Sequence, residues 1–475
     1  MTMGAEPSAV EWLRRLDARE LSARELAEHY LRLLDGAALL NAVVVVDPDR
    51  VLAEASETDR FRHEGQPMSL LGLPVTVKDN LDVAGYPTAA GSAGAFAAAG
   101  TDATVVRRLR AAGAIVLAKT NVPEASSSYE TDNAATGRTN HPIDPARTPG
   151  GSSGGETALL GADASPVGVG TDGGGSIRVP AHYCGLIGLR PTVGRTPETG
   201  QQPPTRATGM MDLSCVGPIA RTVADAALLL RVICGSDGID PYAPPMPPPE
   251  LGQLRCPRTL RIGFWTCDPT VPHTTGPTQA AIRTAAAAFD RPGWSVEEIA
   301  APCEPAANEL FFAALAADGG AHLLERLGTT PRPHHPQFSA LLTQLDASPP
   351  TASEIFTVQR RIFALRSRMR ALAERYDLLL SPVVAGPAPR HGEAPGDRNG
   401  SGPSDYSAFH YVHVIALAGL PAATVPVATE SGLPIGVQII AAPFREDMVL
   451  AAAQHLEGVF GGFTLTRGLR RAATA

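Results

Sequence analysis

Two glycine- and serine-rich stretches organise this sequence, Thr148-Pro-Gly-Gly-Ser-Ser-Gly-Gly-Glu156 and Gly170-Thr-Asp-Gly-Gly-Gly-Ser-Ile-Arg-Val-Pro180. Glycine lets the backbone approach another group closely and adopt conformations that other residues avoid. A serine among glycines can therefore present its hydroxyl beside bare backbone N–H groups. Such a turn suits acyl transfer, which needs a nucleophile next to donors that stabilise an oxyanion.

Short apolar runs around these stretches predict the strands of an α/β sheet. A buried strand within 70–80 ends at Lys78, a helix follows over 104–112, and a second strand follows over 113–119. A third strand over 165–171 runs directly into the triple glycine. Alternation of helices with apolar strands is typical of α/β folds.

The same patterns extend toward both ends of the chain. Ser22 and Glu25 predict a capping box inside a helical segment over 8–36. Residues 236–259, rich in proline, predict a surface loop, and residues 385–407 predict a loop long enough to be a lid. The other predicted elements are strands over 260–265, 376–384, 422–427 and 434–441, and helices over 222–235, much of 300–375 and 446–459.

Composition narrows the class of protein. The chain of 475 residues is 44% hydrophobic and 19% charged, with a net charge of −8 and no long basic run, so we expect no nucleic-acid partner. Its six cysteines are dispersed and indicate reduced thiols. The sequence shows no signal-peptide core and no apolar run of ~18 residues. We therefore expect a cytoplasmic protein without a membrane partner.

The candidate residues also have ordinary explanations. Ser176 could cap a helix that starts at Ile177, Lys78 could be a solvated surface lysine, and Gly150–Gly155 could be a flexible turn. A phosphate-binding loop is excluded because no Gly-Lys-Ser/Thr follows at the required spacing, and no Gly-x-Ser-x-Gly elbow is present. The histidines form no His-Glu-x-x-His motif, so we expect no metal site.

The combination of these residues favours catalysis. A serine at a strand-to-helix turn needs a base, and neither His141 nor His182 is placed to suggest a Ser/His/Asp set. A lysine can be that base if burial lowers its pKa from ~10.4 by several units. Lys78 follows the apolar Val75 and Val77, as a lysine buried at a strand end would.

Further motifs in the chain lead to a known family. They are Leu71-Gly-Leu-Pro-Val-Thr-Val-Lys-Asp-Asn80, Lys119-Thr-Asn-Val-Pro123, Gly137-Arg-Thr-Asn-His-Pro142, Cys184-Gly185, Gly188-Leu-Arg-Pro191, Val216-Gly-Pro-Ile-Ala-Arg-Thr222, Gly419-Leu-Pro421 and Gly432-Leu-Pro-Ile-Gly-Val-Gln438. With the two stretches quoted above, the sequence resembles the amidase signature family of serine hydrolases over most of residues 10–460.

The resemblance implies a Ser–cis-Ser–Lys triad. Ser176 would be the nucleophile, Lys78 the terminal base, and Ser152, preceded by a cis peptide bond from Gly151, the bridge between them. Ser152 is preferred to Ser153 because it lies 24 residues before Ser176, which is the family's interval.

The resemblance also implies an oxyanion hole and its support. The backbone N–H groups that would bind the oxyanion belong to Gly173, Gly174, Gly175 and Ser176. The supporting residues would be Gly151, Ser153, Asp172 and Arg178. The family usually has a larger residue where Gly173 stands, so this loop carries less constraint of its own.

A serine-rich segment stands near the expected acyl pocket. Ser126, Ser127 and Ser128 occupy the place where lipid-amide hydrolases of the family often carry bulky apolar residues. These serines are candidates to line the substrate pocket. They argue against a long acyl chain and favour short, polar or aromatic acyl groups.

The implied fold is one α/β/α domain over 61–475, a large twisted mixed β-sheet covered by helices on both faces, with residues 1–60 as an N-terminal helical arm packed on it. The implied reaction is hydrolysis of a linear carboxylic amide, or an ester, through an acyl-enzyme on Ser176. No cofactor is needed, and the expected partner is a small-molecule amide. The expected assembly is a monomer or a homodimer.

Three alternatives stay open. The chain could be the glutaminase component of a tRNA-dependent amidotransferase, which needs partner subunits. It could be a transferase that passes the acyl group to an amine, or an inactive relative used for binding within a complex. The sequence does not name the substrate.

Overall fold

The computed structural model describes residues 6–464 except 207, 270, 272–273, 303–306, 322, 324, 326–331, 348–349 and 396–405. The predicted lid over 385–407 falls in part outside the described residues, and so does Cys303. The described cysteines form no disulfide with one another. None of the described helices combines the length and the apolar character that crossing a bilayer requires.

The strands of the described residues form one mixed sheet of eleven strands. They are β1 (Val43–Val45), β2 (Pro74–Lys78), β3 (Ile115–Thr120), β4 (Val167–Thr171), β5 (Ile187–Arg190), β6 (Val216–Ala220), β7 (Leu260–Phe264), β8 (Trp294–Glu298), β9 (Leu378–Pro382), β10 (Ala422–Glu430) and β11 (Leu433–Ile440). Their spatial order is β1-β3-β2-β4-β6-β5-β10-β11-β9-β7-β8.

The described helices pack against this sheet or against one another. They are α1 (Ala9–Asp17), α2 (Ala23–Gly36), α3 (Pro48–His63), α4 (Thr104–Ala111), α5 (Gly154–Gly161), α6 (Arg178–Cys184), α7 (Val223–Ile233), α8 (Gly276–Ala287), α9 (Ala307–Leu315), α10 (Pro336–Ala347), α11 (Ala352–Arg375), α12 (His410–Ala418) and α13 (Glu446–Phe460). The predicted α/β fold with a single large mixed sheet is confirmed.

The sheet has two parallel parts joined by antiparallel strands. Strands β3, β2 and β4 run parallel at one end, and β9, β7 and β8 run parallel at the other. Every residue of β2, β3 and β4 is buried. Strands covered on both faces are built from continuous apolar or small residues, which explains why these three were predictable from the sequence.

The N-terminal segment joins the same structure. Ser22 and Glu25 form the predicted capping box at the start of α2. Strand β1 pairs with β3, with Val43 opposite Thr120, and buried residues of α1 and α2 belong to the same hydrophobic core as the strands. This segment therefore supplies both helices and an edge strand.

The first glycine- and serine-rich stretch is a buried, close-packed turn rather than a flexible one. Residues 148–156 are all buried, and the last three of them begin α5. A Cβ on Gly155 would collide with the backbone of Asn121, and one on Gly168 in β4 would collide with the carboxyl of Glu156. Glycine is needed here because helix and sheet approach closely.

Candidate active site

Lys78 lies at the centre of the site. It is the last residue of β2 and has no exposed surface. Its Nζ donates to Ser152 Oγ at 2.6 Å and to Thr171 Oγ1 at 2.8 Å. Lys78 is thus a buried lysine held by two hydroxyls, as the apolar residues before it predict.

The sheet brings these partners together. Strands β2 and β4 are parallel neighbours, with Val77 opposite Val169. Their carboxyl ends therefore meet at one edge of the sheet, where Lys78 ends β2 and Thr171 ends β4. Ser152 arrives at the same edge from the turn that precedes α5.

The turn gives the two adjacent serines different contacts. The peptide bond between Gly151 and Ser152 is cis, and a Cβ on Gly151 would lie 2.5 Å from the carbonyl oxygen of Ser128. Ser152 points to Lys78. Ser153 instead bonds to the backbone. Its N–H donates to the carbonyl oxygen of Ser176 at 3.1 Å, and its hydroxyl donates to the carbonyl oxygen of Thr171 at 3.4 Å.

Ser176 lies at the surface of a pocket that Ser152 also lines. It is half-buried and follows Gly175, whose φ of +124° suits glycine. The N-cap of α6 is Ile177 and has no side-chain cap, so Ser176 is not a helix cap. Within the described residues no hydrogen bond holds the Ser176 hydroxyl, which leaves it available to a ligand.

Burial controls the charge of Lys78. Loss of hydration lowers the pKa of Lys78 to about 7, and it does so against the opposing fields of Asp172 and Glu156. Near neutral pH a large share of Lys78 is then the free amine. A lone pair on Nζ can accept a proton.

A carboxyl group that the sequence analysis did not consider lies behind Lys78. Glu156 is fully buried and accepts hydrogen bonds from Thr76 at 2.6 Å and Thr120 at 2.9 Å. Burial raises the pKa of Glu156 to about 8 despite these bonds and the nearby Lys78. Glu156 is therefore mostly protonated near neutral pH.

Asp79 faces away from Lys78, as strand alternation predicts. Its carboxylate lies 2.8 Å from Nζ of Lys119, which also has no exposed surface. Lys119 further donates to the Pro87 carbonyl at 2.7 Å and to Thr88 Oγ1 at 2.8 Å. Asp79 therefore pairs with Lys119 and not with Lys78.

Hydrogen bonds of Asp172 stabilise the loop before Ser176. Arg178 forms a two-point contact with this carboxylate, 2.9 Å on each side, and Arg190 lies 3.3 Å away. Burial alone would raise the pKa of Asp172, but these two guanidinium groups keep it well below its usual range. Asp172 stays ionised and accepts the Gly175 N–H at 2.7 Å.

The pocket is lined by both polar and apolar residues. Its polar lining includes the predicted residues Ser126, Ser127 and Ser128, together with Gln201 and Gln202. Its large apolar residues, called the apolar wall below, are Met210, Phe311, Phe312, Leu315, Leu323 and Leu341. None of the described residues that line the pocket carries a charge.

Sequence reasoning missed several members of this site. The apolar wall comes from α9, α10 and loops far along the chain, and no local pattern connects them to the serine turns. Thr171 was noted only as part of a motif, although it shares Lys78 with Ser152. One usable signal was overlooked, since Lys78 and Lys119 are the only two lysines in the chain.

The chain is similar to known proteins along nearly its whole length. The family model described as Amidase matches residues 25–450. The chain is 36% identical to the putative amidase AmiB2 of Mycobacterium tuberculosis, over 92% of each chain. It is 34% identical to the indoleacetamide hydrolase of Bradyrhizobium diazoefficiens, covering 96% of this chain and 86% of that one.

Two further likenesses bear on function. The chain is 32% identical to a component of the glutamyl-tRNA(Gln) amidotransferase of Nitrosococcus oceani, over 95% of this chain and 97% of that one. It also superposes on the crystal structure of a bacterial aryl acylamidase with a TM-score of 0.86 and 26% identity, covering 98% of both chains. The activities named for these relatives differ, since they include an indoleacetamide hydrolase, an amidotransferase component and an aryl acylamidase.

Proposed function

The chain belongs to the amidase signature family and is an enzyme that acts on amide C–N bonds, and from that premise we propose that it hydrolyses neutral small-molecule amides through an acyl-enzyme on Ser176. The observation that carries the proposal is the buried, hydroxyl-bound Lys78 beside Ser152, because Ser152 and Ser176 line the same pocket. A lysine whose pKa is about 7 can act as a base at neutral pH.

The hydrogen bonds of Lys78 define the direction of proton transfer. A neutral amine has two N–H groups and one lone pair. The ammonium form of Lys78 donates to both Ser152 Oγ and Thr171 Oγ1. After it loses a proton, one N–H can stay on Thr171 Oγ1 while the lone pair accepts from the hydroxyl of Ser152. Asn80 donates to the same Thr171 oxygen at 3.0 Å and holds it in place.

The reaction then proceeds in two acyl-transfer steps. Lys78 takes the proton of Ser152 while Ser152 takes that of Ser176, and the Ser176 oxygen attacks the amide carbon. The amine leaves with a proton returned along the same relay. Water then attacks the ester, the relay removes its proton, and the acid is released with Ser176 restored.

Three backbone N–H groups are available for the oxyanion. Gly175 N–H donates to Asp172, so that group is committed to holding the loop. The oxyanion is therefore assigned to the N–H groups of Gly173, Gly174 and Ser176. Donors fixed before the substrate arrives stabilise the developing charge most effectively.

The lining of the pocket supports a neutral substrate with an aromatic or short apolar acyl group. Phe311, Phe312 and Met210 offer apolar surface, and the serines of the lining offer hydrogen bonds. Indoleacetamide, the substrate named for one relative, combines these features. We expect a primary or aryl amide of this kind.

The glutaminase alternative rests on the likeness to the amidotransferase component. Free glutamine carries an ammonium and a carboxylate, and a pocket that binds it must compensate both charges. None of the described lining residues offers such a charge. This observation favours the neutral amide.

The test uses the purified chain without other proteins. Indole-3-acetamide, acetanilide and glutamine are assayed separately, and a fluorophosphonate probe is mapped by mass spectrometry. We expect turnover of a neutral amide, labelling at Ser176 and loss of both in Ser176→Ala, but not in the surface control Ser367→Ala. Turnover of glutamine alone, and only after partner subunits are added, would support the amidotransferase instead.

A further inference from the structure

The loop from Gly173 to Ser176 has little restraint of its own. It contains three consecutive glycines, and glycine loses more backbone freedom on ordering than any other residue. A Cβ on Gly173 would meet only the terminal methyl of Met210, at 2.8 Å, and Ser214 Cβ at 3.9 Å. The order of this loop must therefore come from groups around it.

One peptide of the loop is held at both ends. The N–H of Gly175 donates to Asp172 Oδ1, and the carbonyl of Gly174 accepts a hydrogen bond from the Tyr129 hydroxyl. A trans peptide is planar, and its N–H and C=O point in opposite directions. These two bonds therefore fix the plane of the Gly174–Gly175 peptide, which lies between the N–H groups of Gly174 and Ser176.

The hydrogen atoms of this contact allow only one arrangement. A carbonyl oxygen can only accept, so Tyr129 uses its single hydroxyl proton on Gly174. Nε2 of His413 lies 2.6 Å from the same hydroxyl oxygen. His413 must therefore carry its proton on Nε2 and donate it to Tyr129.

The other ring nitrogen of His413 extends the chain of hydrogen bonds. Burial holds the pKa of His413 well below its usual range, so the ring is neutral and Nδ1 is unprotonated. Oδ1 of Asn308 lies against Nδ1 within hydrogen-bond distance. A bare Nδ1 can only accept, so the Asn308 amide is assigned the flipped orientation, in which its nitrogen donates to Nδ1.

We propose that Asn308, His413 and Tyr129 form a directional hydrogen-bond chain that positions the Gly174 peptide and so orients the N–H groups that bind the oxyanion. Tyr129 is a positioning residue in this scheme. The inference rests on the proposed acyl-enzyme function. It also explains how a loop with glycine at position 173 can be ordered, because the restraint comes from residues outside the loop.

Ring stacking holds the hydrogen-bond chain in place. Tyr129 stacks on Phe409 with ring centroids 3.9 Å apart and planes 13° from parallel. His413 stacks on Phe311 at 4.2 Å and 11°. Phe311 also closes the space beside Gly174, where a Cβ would collide with its ring. The rings should keep these positions when only a polar atom is removed.

A second buried tyrosine provides the contrast. Tyr183 belongs to the same hydrophobic cluster as Tyr129 and is fully buried. Within the described residues its hydroxyl has no hydrogen-bond partner. The fold thus tolerates a buried tyrosine hydroxyl without partners, which makes Tyr183→Phe a matched control for Tyr129→Phe.

The first experiment measures how fast a fluorophosphonate labels Ser176. Its phosphoryl oxygen needs the same N–H groups as an amide oxyanion, and no natural substrate is required. We expect Tyr129→Phe to lower the second-order labelling rate by about 10- to 100-fold, less than the loss of a direct oxyanion donor. Tyr183→Phe should label at the wild-type rate, and both variants should keep the wild-type melting temperature within a few degrees.

Three further readouts separate positioning from packing. In Tyr129→Phe, kcat on a neutral aryl amide should fall while KM changes less than about two-fold. The pH at half-maximal labelling should stay where it is, because Lys78 is untouched. His413→Phe keeps a ring against Phe311 and should cost only about 2- to 5-fold. The double variant should be no slower than Tyr129→Phe alone, since the two residues act in series.

The outcomes are distinct. Wild-type labelling by Tyr129→Phe, or equal losses in Tyr129→Phe and Tyr183→Phe, would overturn the hydrogen-bond chain while Ser176→Ala still abolishes labelling. Labelling that survives in Ser176→Ala would instead overturn the proposed function on which the hydrogen-bond chain depends.

Discussion

Two buried lysines lie at the ends of neighbouring strands, one as the last residue and one as the last but one, and they have different surroundings. Lys78 at the end of β2 contacts two hydroxyls, whereas Lys119 in β3 contacts the carboxylate of Asp79. Both side chains have no exposed surface. A carboxylate stabilises an ammonium group, whereas a hydroxyl does so far less. The partner, and not burial alone, decides whether a buried lysine is an ion pair or a base.

Strand geometry creates this difference within a few residues. Successive side chains of a strand alternate between its faces, so Lys78 points toward Glu156 and Ser152 while Asp79 points toward Lys119. The only two lysines of the chain thus lie on opposite faces of β2 and β3. Arginine, which supplies the remaining cations, cannot lose its proton in this pH range.

The largest effect should come from removing the hydroxyl-bound lysine. Lys78→Ala should lower kcat/KM by roughly 10³- to 10⁵-fold, by analogy with the loss of a base in other serine hydrolases. The rise of kcat/KM with pH should disappear with it, because deprotonated Lys78 is the active form. Steady-state assays from pH 5.5 to 9 measure both quantities. Lys78→Arg, which keeps a cation, should not restore activity.

If Lys78→Ala kept both the rate and the pH dependence, another group would be the base. His182 is a poor candidate because burial lowers its pKa to about 4 and both ring nitrogens face backbone groups.

The next effect concerns stability at the other lysine. Asp79→Asn leaves the ammonium of Lys119 buried beside a neutral amide, which should destabilise the fold by about 3–5 kcal/mol. Urea denaturation followed by circular dichroism measures this loss. The matched double variant, Asp79→Asn with Lys119→Met, should recover much of it because no charge remains buried.

The same variants should leave the pH dependence of the remaining activity unchanged, because Asp79 faces away from Lys78. A shifted pH dependence with unaltered stability would mean that the two lysine sites are not separate.

The smallest effect should come from the carboxyl group behind Lys78. The field of Glu156 raises the pKa of Lys78, so Glu156→Gln should move the pH dependence of kcat/KM toward lower pH. The shift should be at most about one pH unit, since Glu156 is itself mostly protonated near pH 7. A shift toward higher pH would contradict this assignment of charges.

The sequence predicted the parts of the fold that carry strong local patterns. Runs of mostly apolar residues in the sequence identified β2, β3 and β4, because strands covered on both faces are largely apolar. Strands such as β5 and β6 were not assigned, since they pair with distant parts of the chain and β6 contains Pro218. Their pairing depends on tertiary packing rather than on a local signal.

The candidate site likewise contains residues that local sequence patterns predicted and contacts that depend on the tertiary structure. The position of Lys78 at a strand end, and the direction of Asp79, follow from alternation and apolar neighbours. His413 stacks on Phe311 of the apolar wall and contacts Tyr129. Both partners are more than 100 positions away from His413 in the sequence. No pattern within one segment could indicate those contacts.

The charge state of Lys78 is the central claim, and the chain allows a direct measurement. Because it contains two lysines, protein labelled with ε-¹³C lysine should give two lysine signals, assigned with Lys78→Ala. We predict that the Lys78 signal titrates with a midpoint near pH 7, while the signal of Lys119, which is paired with Asp79, serves as the internal comparison. If the Lys78 signal stayed at the ammonium position up to pH 9, Lys78 would not be the base.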